Sequence, residues 1–183
     1  DENNQLMKEI IPEILQADLS SLVLELAKWG TTHPQELFWL NPPPSSSFQQ
    51  ASELLHDLEA LEHNQITNHG KQMLQLPLNP RFSHMILRAR AHDLTGFAAT
   101  LAALLSERDL LAGKTRQTSL ELRLDALKKG HSRSKYILKS AQQIAAHFNT
   151  KAQIEPFDMM GFLLGFAYPD RLAQRRPNST HRY

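Results

Sequence analysis

The chain of 183 residues contains no cysteine, which removes disulfide frameworks, thiolate zinc sites, iron–sulfur clusters and a cysteine nucleophile together. That absence fits a reducing cytoplasm. Valine is almost missing as well: Val23 stands alone beside 30 Leu, 18 Ala and 8 Ile. Sheets favour β-branched side chains whereas Leu and Ala favour helix, so the composition predicts a mainly α protein. Long apolar runs are also lacking. The longest, Phe157 to Tyr168, has 12 residues and includes Asp158, against the ~20 that a spanning helix needs. The opening Asp1-Glu-Asn-Asn is acidic where a secretory leader is basic, and both ends read as cuts from a longer protein.

What is present is the make-up of a soluble, folded chain. A hydrophobic share of 41% and a charged share of 21% exclude disordered or collagenous polymers, and the length allows one domain or two small ones. The 20 Lys+Arg nearly balance the 19 Asp+Glu, yet unevenly. Residues 1–75 hold 3 basic and 11 acidic side chains, a net of −8; residues 76–183 hold 17 and 8, a net of +9. Such a split implies either that two regions meet different partners, the basic one a polyanion such as nucleic acid, or that the halves attract each other.

Along the chain, Asp18 is an N-cap for a helix with Leu19, Leu22, Val23 and Leu26 on one face, and Gly30 stops it. Pro42-Pro43-Pro44 forces an extended segment. Ser45–Ser47 then offer caps for a helix whose Phe48, Ala51, Leu54, Leu55, Leu58 and Leu61 form one stripe. A polar turn at Glu62–Gln65, a short strand at Gln65–Thr67 and a helical turn or two over Gly70–Leu76 follow; two helices and a small β-element suit a winged-helix unit. Asn79-Pro80 opens a helix with Phe82, Met85, Ile86 and Ala89 inward and Arg81, Arg88 and Arg90 outward. Phe97, Leu101, Leu104 and Leu105 mark the next helix, Leu120, Leu124 and Leu127 a short one ending at Gly130. Ser132 or Ser134 caps a longer helix with Tyr136, Ile137, Ile144 and Phe148 on one face and Lys135 and Lys139 on another; Met159–Phe166 is a compact apolar helix.

Candidate chemistry is sparse. Gly113-Lys114-Thr115 lacks the glycine five residues earlier that a phosphate loop needs, since position 108 is Arg. His56, His63 and His69 are the closest of nine histidines, but none forms a ligand pair at metal-binding spacing, and they read as solvated surface residues. No G-x-S-x-G elbow is present, Glu107 and Asp109 read as a loop pair, and no catalytic, cofactor-binding or metal-binding residue is assigned. Gly161-x-x-x-Gly165 reads as a close contact within the protein core. The strongest signal is basic: Lys114, Arg116, Arg123, Lys128, Lys129, Arg133, Lys135 and Lys139 are opposed by Glu121 and Asp125 alone. Such cations add affinity for phosphates by counterion release without reading bases, although a charge run also serves as a solvated face. Tyr136 has the ring to stack on a base, but its place on the apolar stripe predicts burial. Arg171, Arg175, Arg176 and Arg182 form a second cluster.

Several stretches together resemble the region that follows the motor domains in DEAH-box RNA helicases. The stretch from Pro12 to Gly30 (PEILQADLSSLVLELAKWG) looks like the opening of that family's winged-helix domain. The triple-proline turn, Leu54–Leu61 (LLHDLEAL) and Ile66–Met73 (ITNHGKQM) follow in family order. Leu76–Arg81 (LPLNPR) and Ala103–Asp109 (ALLSERD) match the start of the helical bundle often called the ratchet domain. Ala167–Arg176 (AYPDRLAQRR) looks specifically like the bacterial HrpB branch.

The resemblance implies a winged-helix domain over residues 1–78 and a helical bundle over 79–183, an accessory region of an ATP-dependent RNA helicase. In that family two RecA-like motor domains hydrolyse ATP with Mg²⁺, while the bundle closes a channel for single-stranded nucleic acid. The phosphate loop and the DEAH carboxylates are absent here, so the chain is expected to lack ATPase activity and to bind no cofactor itself. Its expected partners are single-stranded RNA and the motor domains of the same polypeptide, with no membrane. Charge and helical placement single out Lys128, Lys129, Arg133, Lys135 and Lys139 for RNA contact, with Arg175 and Arg176 as further candidates. Two other classes stay open: a helical protein-interaction scaffold, and a stand-alone winged-helix regulator of duplex DNA. The second is disfavoured because residues 45–61 hold Glu53, Asp57 and Glu59 and no Lys or Arg.

Overall fold

Asp18 Oδ1 accepts the Ser20 N–H at 2.8 Å and starts helix α1 (Ser20–Trp29). The computed structural model describes residues 11–31, 33–112 and 118–173. They form eight α-helices and one two-stranded sheet, so the protein is mainly α. The chain divides into two compact units, 1–72 and 73–183. The division falls six residues before the boundary read from the sequence, placing Met73–Leu78 with the second unit.

In the first unit α1 buries Val23, Leu24, Leu26 and Ala27, half-buries Leu22, and ends at Gly30. There φ is +88°, a conformation that glycine adopts without a Cβ penalty, and the Gly30 N–H bonds back to the Ala27 and Leu26 carbonyls. Helix α2 (Ser45–Asp57) packs on α1 through Phe48, Ala51 and Leu55. Pro44 is its N-cap and no serine side chain caps it; Ser45–Ser47 form its first turn instead of preceding it. Leu61 is buried as expected but belongs to a strand, because Glu59 at φ +56° has already turned the chain out of α2.

Strands β1 (Leu61–Glu62) and β2 (Gln65–Ile66) pair antiparallel, Leu61 opposite Ile66 and Glu62 opposite Gln65. His63 and Asn64 both have positive φ, the conformation of a two-residue hairpin turn matched to strand twist. Thr67 then ties hairpin to helix α3 (Asn68–Met73): its hydroxyl donates to the Glu59 carbonyl at 2.7 Å and accepts the Gly70 N–H at 2.9 Å. Gly70 is required by closeness, since a Cβ there would stand 2.3 Å from the Ala60 carbonyl oxygen.

Among the described residues the second unit is a five-helix bundle. Asn79 caps α4 (Pro80–Ala89) by accepting the Arg81 N–H at 3.0 Å, and Pro80 occupies the first helical position, where its missing N–H costs nothing. Helix α5 (Thr95–Ser106) is the axis: its ten residues from Thr95 to Leu104 are all buried. Small side chains at Gly96, Ala98, Ala99, Ala102 and Ala103 let neighbours approach, and the backbone after α7 runs so near that a Cβ on Gly96 would meet the Lys151 carbonyl at 2.2 Å. Around it lie α4, α6 (Leu120–Lys128), α7 (Ser134–Ala146) and α8 (Met160–Ala167); α5 packs most on α7, and α4 on α8. Phe97, Met85, Ile86, Leu101, Leu124, Leu127, Ile137 and Leu163 fill the core.

Four local expectations fail here for packing reasons. Arg81 does not face open solvent but is held by Asp170. Ser134 does not cap α7; it is buried, its hydroxyl donating to the Ala126 carbonyl at 3.4 Å, and Arg133 is the N-cap. Tyr136 is 75% exposed, because the buried stripe of α7 runs through Ile137, Ala141, Ile144 and Ala145. Among the described residues Gly161 and Gly165 make no close helix contact: nothing lies within 4 Å of a Cβ at Gly161, and Gly165 would meet only the end of Leu172 at 3.8 Å.

Candidate nucleic-acid interface

Helices α6 and α7 are joined by a turn in which Gly130 takes φ +74° and the His131 N–H bonds the Ala126 carbonyl. The turn places Lys128 and Lys129, at the end of α6, close along the chain to Arg133 and Lys135, at the start of α7. Because Ile137, Ala141, Ile144 and Ala145 are turned to the core, the outer face of α7 is left to Lys135, Tyr136, Lys139, Gln142 and Gln143, all exposed. No acidic residue occurs anywhere in α7, and Arg133 caps the end where the helix dipole is already positive. Arg133, Lys135 and Lys139 form no ion pair among the described residues. Among the described residues the charge of Arg133, Lys135 and Lys139 is therefore uncompensated by any ion pair, and an anion placed beside them relieves it.

Lys128 and Lys129 stand differently. Lys128 Nζ donates to Glu155 Oε1 at 2.5 Å, and this bond raises the lysine's pKa; Lys129 Nζ donates to Asp125 Oδ2 at 2.5 Å, one turn away on α6. All four side chains are exposed enough for water or a competing phosphate to exchange into these pairs. Arg123 is committed inward: Nη1 donates to the Ser119 carbonyl and Nη2 to Asp109 Oδ2 at 2.6 Å. That guanidinium holds the Asp109 carboxyl below the usual range, with help from the Leu111 N–H on Oδ1. Asp109 is thus a structural carboxylate and not half of an acid–base pair with Glu107. Arg175 and Arg176, like Lys114, Arg116 and Arg182, lie outside the described residues.

Two small cavities open beside the start of α7. One, of about 350 Å³, is lined by Glu107, Arg108, Arg133, Tyr136 and Ile137; the other, of about 190 Å³, by Arg108, Asp109, Leu110, Ala112, Ser132 and Arg133. Arg108 and Arg133 border both. The sequence reading did not single out Arg108, which lies in the loop after α5 just before the basic run begins at Lys114; its place within the Ala103–Asp109 stretch was the available signal. The histidines hold no metal-ligand group among the described residues. His84 is buried rather than solvated, its ring edge-on to Phe166 at 6.3 Å, while His56 bonds the Asn64 side chain.

The ATP-dependent RNA helicase HrpB of Escherichia coli is 31% identical over 165 residues, or 90% of this chain. The chain is homologous to a segment of HrpB. Two crystal structures agree: the E. coli DExH-box NTPase HrpB and the Escherichia coli DEAH/RHA helicase HrpB each match with a TM-score of 0.72 and 30% identity over 96% of the chain. The chain spans about a fifth of the length of these HrpB proteins, 19% of the curated sequence and 20% and 21% of the two structures. No protein-family model matches it. No helix among the described residues is long and apolar enough to cross a membrane.

Proposed function

We propose that this chain is an accessory region of an ATP-dependent RNA helicase, its first unit the winged-helix domain and its second the ratchet bundle that walls a channel for single-stranded RNA. The observation that carries the reading is the outer face of α7, where Arg133, Lys135 and Lys139 have no carboxylate partner among the described residues, in a segment homologous to HrpB. Lys128 and Lys129, exposed at the end of α6, are further candidates, and Arg175 and Arg176 are candidates by charge alone. Phosphates bound along the face gain affinity from counterion release and need no base-specific contact, which suits a strand that must slide. ATP and Mg²⁺ belong to RecA-like motor domains of the same polypeptide, to whose movement the bundle couples unwinding, in the cytoplasm.

A duplex-DNA regulator is a poorer fit. Helix α2, which would enter the major groove, has no Lys or Arg and carries Glu53 and Asp57.

Fluorescence anisotropy of labelled single-stranded RNA, with single-stranded and duplex DNA alongside over a salt series, tests the reading. The expected result is weak single-strand binding whose log–log salt slope has a magnitude of about 2 or more, from three phosphate contacts at ~0.7 each. Absence of binding at low salt, or a preference for duplex DNA, overturns it.

A further inference from the structure

The larger cavity beside α7 combines features that a plain cationic face does not need. Tyr136 presents its ring to solvent at 75% exposure while its neighbour Ile137 is buried at 1%. An aromatic side chain left uncovered beside two guanidiniums loses the benefit of burial, and stacking on a flat partner restores it. Arg108 and Arg133 enter from different elements, one just after α5 and one capping α7, and neither makes an ion pair among the described residues. Guanidiniums bind phosphate oxygens through paired N–H donors. Asp109, the acid nearest to them in the smaller cavity, is neutralised by Arg123. Among the described residues Glu107 is the one carboxylate lining the larger cavity, and its repulsion disfavours a phosphate beside it.

Resting on the RNA reading above, we propose that this cavity seats one unpaired nucleotide, with its phosphate between Arg108 and Arg133 and its base stacked on the ring of Tyr136. A volume of about 350 Å³ is of the size that small ligands occupy. An acidic peptide would satisfy the arginines and leave the ring unused; a nucleotide uses both. The seat fixes one base against the bundle while the lysines of α7 hold neighbouring phosphates without regard to sequence.

The test uses the 183-residue chain and a fluorescein-labelled single-stranded RNA 12-mer carrying 5-iodouridine, read by anisotropy over a salt series and by photocrosslinking. Tyr136→Leu is expected to weaken binding about five- to hundredfold, the range of one lost base stack, with the salt slope unchanged. Arg108→Gln and Arg133→Gln are each expected to flatten the slope by about 0.7, and Glu107→Gln to tighten binding. All four side chains are exposed, and equal melting curves establish that the variants fold. Crosslinks to the peptide containing Tyr136 support the seat. Parent-like binding by Tyr136→Leu, while charge reversal at Lys135 and Lys139 weakens it, overturns the seat but leaves the RNA-binding face. A parent chain that binds no RNA at low salt overturns both.

Discussion

Arg81 and Asp170, 89 residues apart, lock the first helix of the bundle to the segment after the last. Arg81 Nη1 and Nη2 donate to the two Asp170 carboxylate oxygens at 2.6 and 2.9 Å, and Nη1 also donates to the Ala167 carbonyl at 3.1 Å. The guanidinium lies over the Tyr168 ring at 5.0 Å, so one cation closes α4, α8 and the turn beyond it. Arg81 is 14% exposed and Asp170 37%.

The fork makes stability sensitive to acid. The hydrogen bond from Arg81 lowers the Asp170 pKa below its ordinary 3.8 in the folded state. A lowered folded value means that the contribution is complete above the ordinary carboxylate range and is lost as pH falls through the folded value. With Asp170 more than a third exposed, solvent screening leaves about 0.5–1 kcal/mol at neutral pH. Asp170→Asn is expected to cost that amount at pH 7 by urea denaturation, and the gap from the parent to close as pH falls below the ordinary carboxylate range and through the lowered folded value. A gap that is constant with pH would show that the loss is packing and not charge.

Two glycines make opposite predictions. Gly70→Ala drives a Cβ to 2.3 Å from the Ala60 carbonyl oxygen, a backbone atom that cannot swing aside; the expected loss is about 1–3 kcal/mol. It should appear as faster amide exchange in the hairpin and α3.

Gly161→Ala meets nothing within 4 Å among the described residues. A glycine inside a helix costs roughly 0.5–1 kcal/mol relative to alanine, so this change is expected to raise the melting temperature slightly. A drop would restore the close packing that the G-x-x-x-G spacing suggested.

Elements set by their own residues were legible in the sequence. Gly30 stops α1, Asn79-Pro80 starts α4, and Phe82, Met85, Ile86 and Ala89 point inward because caps and a 3.6-residue period act locally. Tyr136 was misplaced because a stripe drawn through large side chains competes with one drawn through alanines. Alanine-rich α5 selects the latter, turning Ala141 and Ala145 inward and Tyr136 out. The basic run from Lys128 to Lys139 was legible as charge, but not its division into paired and unpaired members. The partner of Lys128 is 27 residues away and reaches it only after the chain has returned past α7. Arg108 joins Arg133 in the same way, through a cavity that exists only when α5 and α7 are packed.

ATP hydrolysis is expected to be absent from the purified chain, with or without RNA. Position 108 is Arg where a phosphate loop ending in Gly113-Lys114-Thr115 needs glycine, and no DEAH carboxylates are present. A coupled phosphate-release assay checks this, and turnover that survives repeated purification would contradict the accessory role.

The ion pairs of α6 rank the lysines. Lys135 and Lys139 have no carboxylate partner among the described residues, so each phosphate they bind is a full gain, and Lys135→Gln or Lys139→Gln is expected to reduce the salt slope for RNA by about 0.7. Lys128 must first leave Glu155, and the carboxylate released then stands near the incoming phosphate; Lys128→Gln is therefore expected to reduce the slope less. The converse is the sharper measurement. Glu155→Gln frees Lys128 and removes the repulsion together, so it should tighten RNA binding at low salt, with the gain fading as salt screens both charges. The same logic makes Asp125→Asn release Lys129. If Glu155→Gln leaves affinity unchanged while Lys128→Gln matches Lys135→Gln, the pair is already open in solution and all these lysines meet RNA on equal terms.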